Sequence, residues 1–426
     1  MNEATRQFIA LHAEDDVRKL ALQSARQTEV DMPFALRQIS GRQAARKKLP
    51  SWAVVDGIVY PPHLSMEQCS SEPTARYKAQ LAGTGKRFVD LTGGFGVDFS
   101  FMSPSFQERI YVEKNAELCA VSSENFPLLG LDAVVVHADG TDYLKGMEPA
   151  DVVFIDPARR DMSGSRTYGI ADCTPNVLEM LNELMQRSRR VILKLSPMLD
   201  WHKAVADIES VCSAQTNTAT TCSSVVREVH VVSVMNECKE LLLVLSAEEP
   251  AKPQRLVCVN LKTSSSKKGD ETFEVLLSQG VEKGSSHAGS QNLEHWKALK
   301  DAPDTPSVFL YEPNASIMKA GCFRLLEQRY GVEAVGTHSH LFVADRLVAD
   351  FPGRIFRIHA VSSMNKKEIS TCFRGISQAN ITVRNFPTGV AQLRKRLKLK
   401  EGGDDYVFAT TLAEGTHVLI ITKKVV

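Results

Sequence analysis

Four acidic residues stand where they could hold or orient a polar ligand: Asp90, Glu113, Asp139 and Asp156. Asp90 ends an apolar run and opens the glycine-rich stretch Thr92-Gly93-Gly94-Phe95-Gly96. Glycines let a backbone bend sharply and let a ligand come close. Glu113 ends a second run 23 residues later, and a carboxylate there can accept two hydrogen bonds from ribose hydroxyls. Asp139-Gly140 follows a third run, and its acid can accept from an exocyclic adenine amine. A fourth run ends in Asp156-Pro157-Ala158-Arg159. A glycine pair after a strand is often an ordinary tight turn, so the ordered series of acids at run ends carries the reading.

The elements that must position these residues alternate. Short Val- and Ile-rich runs (RFVDL, RIYVE, AVVVHAD, DVVFID, RVILKL) are separated by stretches long enough for helices. That alternation predicts a parallel sheet covered on both faces, with the four acids at the carboxyl ends of its strands, where such sheets bind ligands. VREVHVVSV and ELLLVLSA come next, separated by MNECK, a gap too short for a crossover helix, so this pair is predicted antiparallel. Upstream, residues 2–29 are rich in helix formers, with Phe8, Leu11, Leu20 and Leu22 as candidate buried positions, and Pro33 and Gly41 punctuate the stretch after them. Residues 263–291 are Ser-, Gly- and Lys-rich and read as a linker, in which TFEVLLS could form one strand. SVFLYEPNASIMKAGCFRLLEQRYGV reads as strand, turn and helix. RIFRIHAV, KKEISTCFRGI, NITVRNF, GVAQLRKRLKL, YVFATTL and HVLIITK read as strand, helix, strand, helix and hairpin. The expected fold is α/β: a doubly wound, mostly parallel, Rossmann-like sheet with an antiparallel last strand, an N-terminal helical region and small C-terminal α/β modules. The expected boundaries are 1–69, 70–250, 251–345 and 346–426.

Composition sets outer bounds. The chain has 426 residues and a formal net charge of +1, so no global charge draws it to nucleic acid or to an acidic surface. Its nine cysteines are scattered without a CxxC pair, which reads as reduced thiols in a cytoplasmic protein. No apolar stretch reaches the roughly 20 residues that span a bilayer, and neither membrane nor metal is expected. His338 and His340 could share a strand face, but no third ligand is evident, and they read as ordinary polar positions.

The region from about 70 to 247 resembles the class I S-adenosylmethionine-dependent methyltransferases. The resemblance implies S-adenosylmethionine as cofactor. It places the methionine end at Asp90, Thr92, Gly93, Gly94 and Gly96, the ribose at Glu113, and the adenine at Asp139 and Gly140. Asp156, Pro157 and Arg159 would face the substrate and the methyl group. Ser70 to Ala79 (SSEPTARYKA) resembles the pre-motif of RNA-modifying members, a helix that closes over the cofactor. Ser71 is a candidate N-cap for that helix and Pro73 suits its first turn. More closely, EPNASIMKAGCF, RNFP and LRKRLKLKEGGDDYVFAT resemble a bacterial family that adds a ferredoxin-like module and a C-terminal THUMP-like module. THUMP domains belong to RNA-modifying enzymes, so the resemblance implies an RNA substrate.

The acceptor atom depends on the fourth motif. Nitrogen-methylating members often carry an acid or amide, two prolines and an aromatic, whereas this chain has Ala158 and Arg159 in the last two places. Base stacking would then come from the Arg159 guanidinium or from Tyr168. Carbon methylation needs a cysteine nucleophile, commonly after strand five, and Lys194-Leu195-Ser196-Pro197-Met198 offers none. Cys173 reads as a small apolar filler. A base nitrogen is therefore preferred. Arg160 and Arg166 join Arg159 as candidate phosphate contacts, against ion pairing with Asp161 and Asp172. Two basic zones, Arg37 to Lys48 and Arg384 to Lys400, either track nucleic acid or form solvated faces. In the second, Arg384, Arg394, Lys395 and Lys398 are candidate substrate contacts, with Leu393 and Leu397 buried behind them. Two other functions stay open. A non-catalytic RNA-binding protein could keep this fold. A nicotinamide-dependent oxidoreductase would need a third glycine where Phe99 stands.

Overall fold

In the computed structural model, the described residues are 1–22, 28–159, 169–215, 224–248, 253–262, 269–277 and 308–425. The chain divides into two compact units. One comprises Met1–Val234, Lys239–Leu256 and Leu261–Lys268; the other comprises Met235–Cys238, Val257–Asn260 and Gly269–Val426.

The first unit opens with helices α1 (Glu3–Leu11), α2 (Val17–Leu22), α3 (Met32–Lys48), α4 (Pro50–Ala53) and α5 (His63–Gln68). Asp31 caps α3 by accepting from the Phe34 N–H at 3.1 Å, and Pro33 sits in its first turn. Gly41 does not interrupt this helix as its residue type suggested. It lies inside it, because a Cβ there would stand 2.3 Å from the Tyr60 side chain, so the glycine serves close packing. Of the expected apolar positions only Leu20 is buried. Leu11 is 79% exposed and Leu22 88%.

Helix α6 (Glu72–Ala82) leads into the sheet: β1 (Gly85–Asp90), α7 (Val97–Met102), β2 (Phe106–Glu113), α8 (Ala116–Leu128), β3 (Val134–His137), α9 (Gly140–Gly146), β4 (Ala150–Ile155), α10 (Val177–Arg187), β5 (Ser188–Leu195), α11 (Trp201–Gln215), β6 (Val226–Val234) and β7 (Glu237–Leu245). These strands lie in the order β3-β2-β1-β4-β5-β7-β6. The β1–β2, β2–β3, β1–β4 and β4–β5 pairs are parallel, and β7 runs antiparallel to β5. The inner strands are buried on both faces, which is why they read as unbroken apolar runs. Met235 and Asn236, both at positive φ, make the tight turn from β6 to β7. Strand order reverses at β1, between β2 and β4, so a crevice opens at their carboxyl ends.

Two more strands come after these, β8 (Arg255–Leu261) and β9 (Glu271–Leu276); β9 is the strand expected from TFEVLLS. The rest of that expected linker, 263–268 and 278–291, lies outside the described residues. The second unit continues with β10 (Phe309–Pro313), α12 (Ala315–Ala320), α13 (Phe323–Tyr330), β11 (Glu333–Ala334), β12 (Phe342–Ala344), β13 (Gly353–Ser363), α14 (Lys366–Cys372), β14 (Asn380–Arg384), α15 (Val390–Leu397), β15 (Asp405–Thr411) and β16 (His417–Lys424). Their sheet has the order β11-β12-β10-β13-β16-β15-β14. One core contains Leu310, Phe356, Phe408 and Ile420; another packs Leu393 and Leu397 of α15 against Val407, Leu419 and Ile421.

Phe356 sits at the centre of the first of these cores, with ring centroids 4.9 Å from Phe408 and 5.1 Å from Tyr406. Phe356→Ala removes those contacts and leaves a cavity, a change worth about 3–5 kcal/mol. The expected outcome is a lowered urea midpoint followed by circular dichroism; an unchanged midpoint contradicts this packing.

Candidate active site

Parallel pairing brings the sequence-predicted acids together. Asp90 stands opposite Tyr111 of β2 and Phe154 of β4, each two residues short of the strand-end acids Glu113 and Asp156. The Asp90 carboxylate accepts from the Thr92 N–H at 2.9 Å. The Thr92 hydroxyl in turn accepts from the Asp156 N–H at 2.7 Å. Glu113 reaches the glycine-rich turn: one of its oxygens accepts from the Gly94 N–H and the other from the Asn115 N–H, both at 2.8 Å. Each carboxylate oxygen keeps a further lone pair for a ligand hydroxyl.

The turn has the shape its glycines permit. A Cβ on Gly93 would lie 2.1 Å from the Tyr111 ring, and Gly96, at φ +79°, would meet Phe126 at 2.8 Å. Gly94 has φ +56°, and a Cβ there would meet no side chain, so its backbone is open to an approaching group. The Tyr111 hydroxyl donates to the Gly94 carbonyl at 2.5 Å and pins the turn from β2. Asp139 is exposed and caps α9, accepting from the Thr141 N–H at 2.8 Å. Gly140 behind it lacks room for a Cβ, which would be 2.1 Å from the Leu91 carbonyl oxygen. Ser71 does occupy the N-cap position of α6, with Pro73 in the first turn, but its side chain makes no capping bond; its hydroxyl lies 3.3 Å from that of Thr74.

Sequence reasoning passed over the charged network beneath this site. Lys78 of α6 is 0% exposed; its ammonium lies 2.5 Å from Glu240 of β7 and 3.1 Å from Asp98 of α7, and donates to the Ser70 hydroxyl at 3.1 Å. Ser70 donates to Asp98 at 2.7 Å. Lys194, at the end of β5, is 2.5 Å from Asp156 and 3.6 Å from Asp98. Lys194 lay in the segment searched for a cysteine, and Lys78 and Asp98 lay within motifs read for their glycines and caps. A lysine within an apolar strand was the available signal.

The neighbouring charges tune one another. Burial would raise the Asp98 carboxyl, yet Lys78 and Lys194 hold it below its ordinary value. Asp90 is pushed well above its ordinary value by burial, against the Thr92 N–H and helped by Asp98, Asp156 and Glu113. Asp156 is raised by desolvation, with Lys194 pulling the other way.

Other expected site residues are less gathered. Ala158 and Arg159 form a two-residue antiparallel ladder with Thr174 and Cys173. Arg160, Arg166 and Tyr168 lie outside the described residues. Cys173 is buried. His338 and His340 fall in a turn rather than on a strand, so they share no strand face, and His340 stacks on Phe323 with centroids 4.4 Å apart. Among the described residues no three His, Cys, Asp or Glu side chains cluster as metal ligands. No helix among them is long and apolar enough to cross a membrane.

Several basic residues of the first zone have acidic partners: Arg37 with Glu117 at 2.8 Å, Arg42 with Asp56 at 3.4 Å, and Arg46 with Glu14. In the second zone, Arg384 is 3.0 Å from Glu312, which is 1% exposed and also holds Arg354. Arg394, Lys395 and Lys398 line a recess of about 600 Å³ with Val390, Ala391, Leu399 and Glu401. As expected, Leu393 and Leu397 are buried. A second recess of about 460 Å³ includes Arg189, Arg190, Arg227, Asp151 and Glu248. It opens at the amino ends of β4 and β5, away from the carboxyl-end crevice, and its charges pair internally, Arg189 with Glu248 at 2.9 Å.

A carboxyl whose folded pKa is raised costs stability above that pKa and costs nothing below the unfolded value of about 3.9. Asp90→Asn keeps the oxygen that accepts from Thr92 and removes this cost. The thermal midpoint is expected to rise at pH 7.5, with the gain shrinking as pH falls. Melting curves across a pH series check this; absence of a gain at every pH overturns the reading of Asp90.

Residues 309–352 match the family of ferredoxin-like domains, and residues 353–424 match the THUMP domain-like family. The crystal structure of a "putative methyltransferase" from Porphyromonas gingivalis W83 is similar at 28% identity and a TM-score of 0.77, covering 99% of this chain and 98% of that one. A protein from Listeria monocytogenes, whose name carries the same qualifier before class I S-adenosylmethionine-dependent methyltransferase, matches at 13% identity and a TM-score of 0.38, over 62% of this chain and 95% of that one. No curated protein sequence matches the chain. With its β3-β2-β1-β4-β5-β7-β6 order and antiparallel β7, the chain joins a class I methyltransferase fold to a ferredoxin-like domain and a THUMP-like domain.

Proposed function

We propose that the protein is an S-adenosylmethionine-dependent methyltransferase that modifies a base nitrogen in RNA. The observation that carries this reading is the convergence of Asp90, Thr92, Gly94, Glu113 and Asp156 at the carboxyl ends of β1, β2 and β4. The residues fit the cofactor. Gly94 offers bare backbone, Glu113 retains lone pairs for ribose hydroxyls, and Asp139-Gly140 presents an exposed carboxylate for an adenine amine. Asp90, Thr92, Gly93 and Gly96 would shape the methionine end, and Ser71 at the head of α6 is proposed as a further cofactor contact. When bound, S-adenosylmethionine supplies an electrophilic methyl group on a sulfonium.

The chain's own contribution is position and charge. Asp156 orients the acceptor amine, with Pro157 and the Arg159 backbone setting the loop. When the methyl group moves from the sulfonium sulfur to the acceptor nitrogen, the surplus proton left on that nitrogen would pass to the Asp156 carboxylate. The raised Asp156 pKa suits that acceptance. The THUMP domain-like match supports RNA as substrate, and the recess at Arg394, Lys395 and Lys398 supplies cationic groups for phosphates. Arg160, Arg166 and Tyr168 are proposed as contacts near the base. Arg384 is tied to Glu312, which favours a bracing role for it over a phosphate contact. We read the protein as cytoplasmic, with domains at 1–69, 70–250, 251–345 and 346–426.

Calorimetric titration with S-adenosylmethionine and, separately, NADH tests the reading. Binding of the first alone is expected, weakened at least ~10-fold by Glu113→Ala, since both carboxylate–ribose bonds are charge-assisted. No binding by folded protein overturns it, and NADH binding favours the oxidoreductase alternative. Asp156→Ala is expected to cut methyl transfer into RNA from cells lacking the protein by ~10²-fold or more, with cofactor affinity nearly kept. A wild type that binds cofactor yet never transfers methyl favours a non-catalytic RNA-binding role.

A further inference from the structure

Asp156 has an unusual neighbour for a group that must meet a substrate: a lysine that arrives from the interior of the sheet. Lys194 is 9% exposed and its ammonium lies 2.5 Å from one Asp156 oxygen. Lys78, the other buried cation here, is already engaged by Glu240 and Asp98. Asp156 also faces two acidic groups, Asp98 from α7 and Asp90 from β1, while Lys78 adds to Lys194 in opposing them; Glu240 from β7 acts on Lys194. Desolvation and the Asp98 carboxylate raise the Asp156 pKa and so favour its protonated form, although its side chain is 37% exposed. A protonated Asp156 could not take up the proton that transfer releases, and its O–H would compete as a donor at the acceptor amine.

We propose that Lys194 is a positioning residue, whose ammonium keeps the Asp156 carboxyl ionised and turns it so that one oxygen is committed to the lysine and the other faces the acceptor. The proposal rests on the methyltransferase reading and narrows its substrate: the acceptor is an N–H-bearing nitrogen, such as an exocyclic base amine, that donates to the second oxygen. Lys194 does not itself act as the base. Burial would lower its pKa, but Asp156, Asp98 and Glu240 raise it well above its ordinary value, so it stays an ammonium. The arrangement also explains why β5 ends in a lysine where a carbon-methylating enzyme would place its cysteine.

The full-length protein, labelled with ¹³C at aspartate carboxyl carbons, tests this, with the Asp156 resonance assigned by its loss in Asp156→Asn. In Lys194→Gln the carboxyl midpoint is expected to rise by about one to three pH units, because the ionised form loses its counter-charge. Lys194→Arg retains the charge and is expected to keep the midpoint near that of the wild type. An unchanged midpoint in folded Lys194→Gln overturns the proposal. If that variant does not fold, the wild type decides: the Lys194 ammonium nitrogen must shift through the same midpoint as the Asp156 carboxyl carbon, and independent behaviour overturns the proposal. The functional consequence has a distinct signature. Methyl transfer by Lys194→Gln into the same RNA pool is expected to fall at least ~10-fold at pH 7 and to recover as pH rises through the new midpoint. A loss equal at every pH marks a merely structural role and overturns it. The carboxyl titration needs neither cofactor nor RNA, so its failure is separate from a failure of the protein to bind S-adenosylmethionine.

Discussion

The first unit depends on ion pairs that have been taken out of water. Lys78 and Lys194 meet Asp98, Glu240 and Asp156, with Ser70 bridging Asp98 and Lys78. These groups come from α6, α7, β4, β5 and β7, so one network ties the helix before the sheet to the carboxyl ends of its strands. Desolvating so many charges is expensive, and apolar residues of equal size would often hold such elements together as well or better. What the charges add is specificity of position. Each lysine lies between two carboxylates, and a shift of α6 or β5 would leave a charge buried without its partner, which costs several kcal/mol.

The glycine-rich turn obeys a different constraint, that of space. Tyr111 of β2 fills the volume that a side chain on Gly93 would need, then donates to the Gly94 carbonyl, while Glu113 on the same strand takes the Gly94 N–H. Strand β2 therefore supplies both the steric reason for the glycines and the hydrogen bonds that hold the turn.

In the second unit the two matched segments build one sheet. Strands β10, β11 and β12 come from the ferredoxin-like segment and β13 to β16 from the THUMP-like segment, joined where β10 pairs with β13. Glu312 at the end of β10 receives Arg354 of β13 and Arg384 of β14, a buried acid that braces strands from both segments. Its demand for counter-charge takes Arg384 out of the row of cations that the linear sequence displayed, while Arg394, Lys395 and Lys398 line a recess in which Arg394 donates to the Ala379 carbonyl at 3.1 Å.

The sequence alone determined the alternation of strands and helices, the antiparallel seventh strand, and the acids at the ends of β1, β2, β3 and β4. Those features rest on local rules: apolar runs bounded by glycine or polar caps, and connections either long enough or too short for a crossover. It also showed the burial of Leu393 and Leu397, whose spacing on α15 is helical. It misjudged Gly41, because a glycine's reason for being in a helix lay in Tyr60, nineteen residues away along the chain. It misjudged Leu11 and Leu22, whose short helices leave them facing water. Only the tertiary structure decided the partnership of Lys194 with Asp156 and of Lys78 with Asp98 and Glu240. A charge in sequence carries no sign of its partner, since Coulomb attraction acts through space, and contacts such as Lys78 to Glu240 span 162 residues that only the folded sheet brings together.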